Sequence, residues 1–223
     1  MYAVLFDIDG TLISTCGAGR AAMAAGFERV FGVRDDKPIE TSGRTDRSIG
    51  GDLLTAHGLS DSEDNWQRLR AGYLAHLPAQ LARCGGRVLP GVSEMLDVLA
   101  GRADVCVGLL TGNTEASARI KLEHYGMWER FTLGAYGDAH RDRDMVAADA
   151  WQCVTQRHAD IRPERVLVLG DTPHDVRCAR HIGARAIAVA TGLFSHESLA
   201  QTLPDVLLAD LSDAASVLEL LAV

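Results

Sequence analysis

A chain of 223 residues, 47% hydrophobic with a formal net charge of −8, is long enough to bury a core of its own without covalent staples. The acidic balance, the lack of a basic stripe and the 5% of aromatics exclude nucleic acid as an expected partner. Five cysteines without C-x-x-C or zinc spacing read as reduced thiols of a cytoplasmic protein, and the lack of a secretory pattern or a long apolar run argues against export and membrane insertion.

The first apolar run, Ala3 to Phe6, ends in Asp7-Ile8-Asp9-Gly10-Thr11-Leu12. Two carboxylates spaced by two share one face of an extended chain, Ile8 takes the other, and Gly10 permits a sharp turn; the plainer alternative is a strand running into an Asp-Gly turn. Beyond it about seventy residues lack a convincing strand until Val88-Leu89-Pro90-Gly91, too many for an ordinary connection. Apolar spacing predicts helices over Arg20 to Phe31, Asp46 to His57 and Ser62 to Arg83. The expectation is therefore a helical cap, residues 15–86, inserted into an α/β core of residues 1–14 and 87–223. The chain would cross between them near Ile13 to Gly19 and again at a Cys84-Gly85-Gly86 hinge.

A helix carrying Val92, Met95, Leu96 and Leu99 precedes the run Val105 to Leu110, which opens into Thr111-Gly112-Asn113-Thr114. There a hydroxyl and free backbone N–H groups would face an anion, although a Thr/Asn helix cap explains the same residues. Trp151, Val154 and His158 loosely mark another helix. The run Val166 to Leu169 delivers a second acidic pair in Gly170-Asp171-Thr172-Pro173-His174-Asp175, where Asp175 also suits a helix start, and runs at Ala186 to Ala190 and Val206 to Leu208 follow. This alternation predicts a doubly wound parallel sheet. Its carboxylates, gathered at one edge, would repel one another without a cation, and all-oxygen ligands favour Mg2+, with Mn2+ or Ca2+ as competitors.

These segments resemble the haloacid dehalogenase-like superfamily, in its phosphatase branch with a helical cap after the first motif, over nearly the whole chain. Asp7 to Leu12 resembles the first motif, Leu110-Thr111-Gly112-Asn113 the second and Gly170 to Asp175 the fourth. The resemblance implies a Rossmann-like core and an enzyme acting on a small phosphorylated metabolite in the manner of phosphoglycolate phosphatases. Asp7 would be the nucleophile that forms an aspartyl-phosphate. Asp9 would be acid and then base, its pKa expected to rise as the cap closes; Thr111, Gly112 and Asn113 would meet the phosphate. Mg2+ would be held by Asp7, the Asp9 carbonyl and Asp171, with Asp175 supporting.

The family's third motif, a lysine followed by proline, is missing: residues 134–145 contain no lysine, and the chain's one Lys-Pro, Lys37-Pro38, falls in the cap. With twenty arginines and only two lysines in the chain, Arg143, Arg141 and Lys121 are the candidates to replace it. Arg143 is favoured because it precedes a helical run, against the alternative of a solvated charge cluster. Thr41-Ser42-Gly43-Arg44-Thr45-Asp46 resembles the cap segment that reaches over the site, so Arg44 is expected at a substrate anion, unless the segment merely starts a helix. Cys16 reads as a packed thiol and His174 as a turn residue. A monomer or homodimer is expected. Other readings are a sugar phosphomutase similar to β-phosphoglucomutase and a phospho-accepting signalling module, against which length and cap argue.

Overall fold

The computed structural model describes residues 1–221. In chain order the elements are β1 (Tyr2–Phe6), β2 (Ile13–Ser14), α1 (Ala18–Phe31), α2 (Asp46–Ala56), α3 (Glu63–Cys84), β3 (Arg87–Val88), α4 (Val92–Ala100), β4 (Val105–Leu110), α5 (Glu115–His124), β5 (Leu133–Ala135), α6 (Arg143–Arg157), β6 (Val166–Gly170), α7 (Pro173–His181), β7 (Arg185–Val189), α8 (His196–Ala200), β8 (Val206–Leu208) and α9 (Ala214–Leu220).

Six of the strands form one parallel sheet in the order β5-β4-β1-β6-β7-β8. Alternate residues of β1 explain its two faces. Tyr2, Val4 and Phe6 join Val92, Met95, Leu96 and Leu99 of α4 on one side. Ala3 and Leu5 join Val146, Ala147, Ala150 and Val154 of α6 on the other. The sheet is thus covered on both faces, as its near-continuous apolar strands require. β1 is followed on one flank by β4 and β5 and on the other by β6, β7 and β8, so the direction of winding reverses beside it, and the carboxyl ends of β1, β4 and β6 form the crevice where such sheets bind ligands.

The sequence did not signal β5, since Leu133-Gly134-Ala135 is short and carries a glycine; its pairing with Gly108 to Leu110 of β4 makes it a strand. Residues 18–84 hold only helices. Their core of Ala22, Met23, Phe27, Leu53, Trp66, Leu69 and Tyr73 is separate from those flanking the sheet. Capping follows the sequence, with Thr45 Oγ1 accepting from the Ser48 N–H at 3.0 Å and Ser62 Oγ from the Asn65 N–H at 3.3 Å. α1 and α3 touch through glycine: a Cβ on Gly26 would lie 2.5 Å from the backbone of Gly72 and Tyr73. Both crossings to the sheet run through one antiparallel pair, Ile13 with Val88 and Ser14 with Arg87. α3 ends at Gly85, whose φ of 64° suits a residue without Cβ.

Candidate active site

Register brings the acidic segments together. Phe6 lies beside both Leu109 and Leu169, so the residues after β1, β4 and β6 emerge side by side. The Asp7 N–H donates to the Leu169 carbonyl at 2.9 Å while Ile8 is fully buried. Gly10 turns the chain with φ +85°, and a Cβ there would strike the Asp171 carboxylate. Thr11 Oγ1 donates to Asp171 Oδ1 at 3.1 Å, joining the first segment to the last. One oxygen each from Asp7, Asp171 and Asp175 lie within 4.8 Å of one another, all three side chains buried.

Asp175 does two things at once. Its Oδ2 accepts from the N–H and hydroxyl of Thr172 at 3.0 and 2.7 Å, closing the start of α7, while Oδ1 accepts from Arg143 Nη2 at 2.5 Å. Arg143, the first residue of α6, points inward, with Nη1 3.7 Å from Asp7 Oδ1. Burial pushes the Asp7 carboxyl up, Arg143 opposes that and Asp175 adds to it, leaving it at about 7. Asp171 is likewise raised, by burial and then by Asp175 and Asp7. Burial acts against the Arg143 charge, but Asp7 and Asp175 outweigh it and hold the guanidinium protonated.

Asp9 departs from expectation. Its carboxylate turns away from the other three, accepting from Lys121 Nζ at 2.6 Å, Asn113 Nδ2 at 2.9 Å and Thr15 Oγ1 at 3.3 Å. Burial acts to raise it, but these contacts prevail and hold it below the ordinary carboxylate value, so the expected upward shift is corrected to a downward one. Asp9 accordingly has only its main-chain carbonyl to offer a shared ion. The Thr111 hydroxyl accepts from Asn113 Nδ2 at 2.9 Å and from the Asn113 N–H at 3.3 Å, next to Asp7.

Of the three candidate cations, Arg143 and Lys121 stand in the site, while Arg141 turns out to pair with Asp61 of the cap. Lys121 lies on the inward face of α5 beside Ala118 and Leu122, where an unpaired ammonium would be costly; that periodicity was the signal available for it. The Arg44 carbonyl rests on Gly112, and its guanidinium is tied to Asp52 at 2.7 Å and to the Glu40 carbonyl at 3.1 Å. Cys16 is exposed, in a left-handed turn with φ 48°, rather than packed. His174 sits against Gly43 of the cap. Asp46 and Thr15 carried no recognisable signal: a helix-start aspartate and a loop threonine are ordinary, and only the meeting of cap and core buries them. Between cap and sheet edge lies a cavity of about 500 Å³ bordered by Asp7, Asp9, Arg20, Arg44, Ile49 and Tyr73.

The family model described as haloacid dehalogenase-like hydrolase matches residues 4–180. Phosphoglycolate phosphatase of Synechococcus elongatus is 29% identical over 226 residues, covering 96% of this chain and 95% of its own. Phosphoglycolate phosphatase of Rhodospirillum rubrum is 27% identical over 210 residues, covering 89% and 83%. In fold the chain is similar to CbbY of Rhodobacter sphaeroides solved in complex with phosphate, with a TM-score of 0.74 at 22% identity over 96% of each chain.

Proposed function

Because this chain belongs to the haloacid dehalogenase-like hydrolase family, we propose that it is a magnesium-dependent phosphatase of a small phosphorylated metabolite, of the phosphoglycolate-phosphatase-like branch. The observation that carries this reading is the meeting of Asp7, Asp171 and Asp175 with Arg143 at one strand-end crevice under a helical lid. The cap of residues 15–86 and the core of residues 1–14 and 87–223 act as the two working parts.

Mg2+ fits the donor set: three buried carboxylates without a nitrogen or sulfur ligand suit a hard ion, and Asp7 and Asp171, raised first by burial and then by their acidic neighbours, are groups that a bound cation would favour in ionised form. Asp7, Asp171 and the Asp9 carbonyl would hold it, with Asp175 behind. When bound, the ion neutralises charge on the phosphoryl oxygens. Arg143 opposes protonation of Asp7, the nucleophile, and offers its fork to the phosphate. Asp7 attacks phosphorus, the bond to the leaving oxygen breaks, and Asp9 supplies that oxygen's proton. Asp9 takes up this proton from solvent as the substrate enters, when the phosphate's negative charge adds to the field opposing Lys121. Once deprotonated it activates the water that releases phosphate from Asp7. Thr111, Gly112 and Asn113 orient the phosphoryl group, and Arg44 lines the leaving-group side.

The test is release of inorganic phosphate from 2-phosphoglycolate and a panel of sugar phosphates with Mg2+. Asp7→Asn is expected to abolish release, and so is a magnesium chelator. Activity surviving either treatment defeats the reading, and conversion of a sugar phosphate to its isomer without free phosphate would favour a mutase.

A further inference from the structure

The two buried cations of the site divide the carboxylates between them. Arg143 serves Asp7 and Asp175. Lys121 serves Asp9, with Nζ 2.6 Å from Asp9 Oδ2 and 2.6 Å from Asn113 Oδ1, and the Asn113 amide returns a bond to the same Asp9 oxygen at 2.9 Å. The helix carrying Lys121 is in turn anchored by the cap. Asp46, first residue of α2, accepts from the Thr114 N–H at 2.9 Å and from Ser117 Oγ at 2.8 Å, and its own N–H donates to the Gly112 carbonyl at 2.7 Å. Asp46 is buried, and Ser117 lies one helical turn before Lys121. A cap carboxylate thus sits on the N-terminus of a core helix, where negative charge is favoured, and that helix holds the lysine that holds Asp9.

We propose that Lys121 is a positioning residue for proton transfer by Asp9, and that Asp46 aligns Lys121 for this only while the cap is seated on the core. The inference rests on the phosphatase reading. An acid must come within hydrogen-bond reach of the departing oxygen, and an error of about 1 Å in such a group costs on the order of 10²-fold in rate. A partly exposed carboxylate at the entrance to the Gly10 turn has several rotamers open to it; the contacts from Lys121, Asn113 and Thr15 select one.

The experiment compares two esters under single-turnover conditions. Nitrophenolate departs from p-nitrophenyl phosphate without a proton, whereas the alkoxide of an alkyl phosphate needs one. The alkyl probe is whichever of 2-phosphoglycolate and glucose 6-phosphate the wild type cleaves faster. Lys121→Met is expected to slow alcohol release at least about tenfold more than nitrophenolate release. Lys121→Arg should restore part of that ratio, and Asp46→Asn should shift it the same way by a smaller factor. Because both rates come from one preparation, the ratio is independent of how much of a variant is folded. Equal slowing of both esters, or no slowing, would overturn the assignment while leaving the phosphatase reading intact. A wild type that cleaves neither ester removes both.

Discussion

Four charges in a row, Arg141-Asp142-Arg143-Asp144, read alike as a sequence, yet their side chains meet different fates. Arg143 is 3% exposed between Asp7 and Asp175, whereas Arg141 is half exposed against Asp61. Removing the first strands two buried carboxylates. Arg143→Ala should cost about 3–5 kcal/mol in chemical denaturation and abolish phosphatase activity. Arg141→Ala should change stability by less than about 1 kcal/mol and leave turnover near wild type, because the Arg141 charge is half in water and Asp61 keeps Arg47 as a partner at 2.8 Å. Equal effects from the two would contradict the division seen in the site. Asp9 teaches a second lesson at this scale: its spacing from Asp7 was legible, but its ionisation was not, because that depends on a lysine 112 positions away.

Among the elements, helices with a clear apolar stripe and a capping residue were readable almost to their ends. α2 was expected from Asp46 to His57 and runs Asp46–Ala56; α3 was expected from Ser62 to Arg83 and runs Glu63–Cys84. β5 escaped because three residues hold no periodicity. The close contact of α1 and α3 was equally hidden, since Gly26 and Gly72 acquire meaning only opposite each other. Gly26→Ala should destabilise the protein by about 1–3 kcal/mol in thermal or chemical unfolding, as the new methyl meets backbone rather than a movable side chain. An unchanged midpoint would mean that the helices separate at little cost.

For the molecule as a whole, the acidic cluster makes folding and metal binding one problem. The Asp7 carboxyl, moved from its ordinary 3.8 to about 7 in the folded chain, keeps a proton that the unfolded chain has already lost. Between those values the native state binds more protons, so the metal-free protein loses stability as pH rises from about 4 to about 7. A cation that neutralises the cluster should therefore raise the melting temperature more at about pH 7.5 than at about pH 5, and a chelator should reverse the gain. An equal gain at both values in a calorimetric scan would show that these carboxylates are not where the ion binds. No helix among the described residues is long and apolar enough to cross a membrane.

The sequence by itself determined the alternating apolar strands and amphipathic helices, the helical insert after β1, and the presence of acidic pairs at the ends of β1 and β6, because each follows from local periodicity and turn chemistry. Tertiary structure alone decided which charges face one another. It set Arg143 on the nucleophile side and Lys121 on Asp9, and it buried Asp46 across the cap–core boundary. Local pattern places a side chain on a helix face, but its electrostatic partner is chosen by the packing of elements distant in the chain, which no window of neighbouring residues contains.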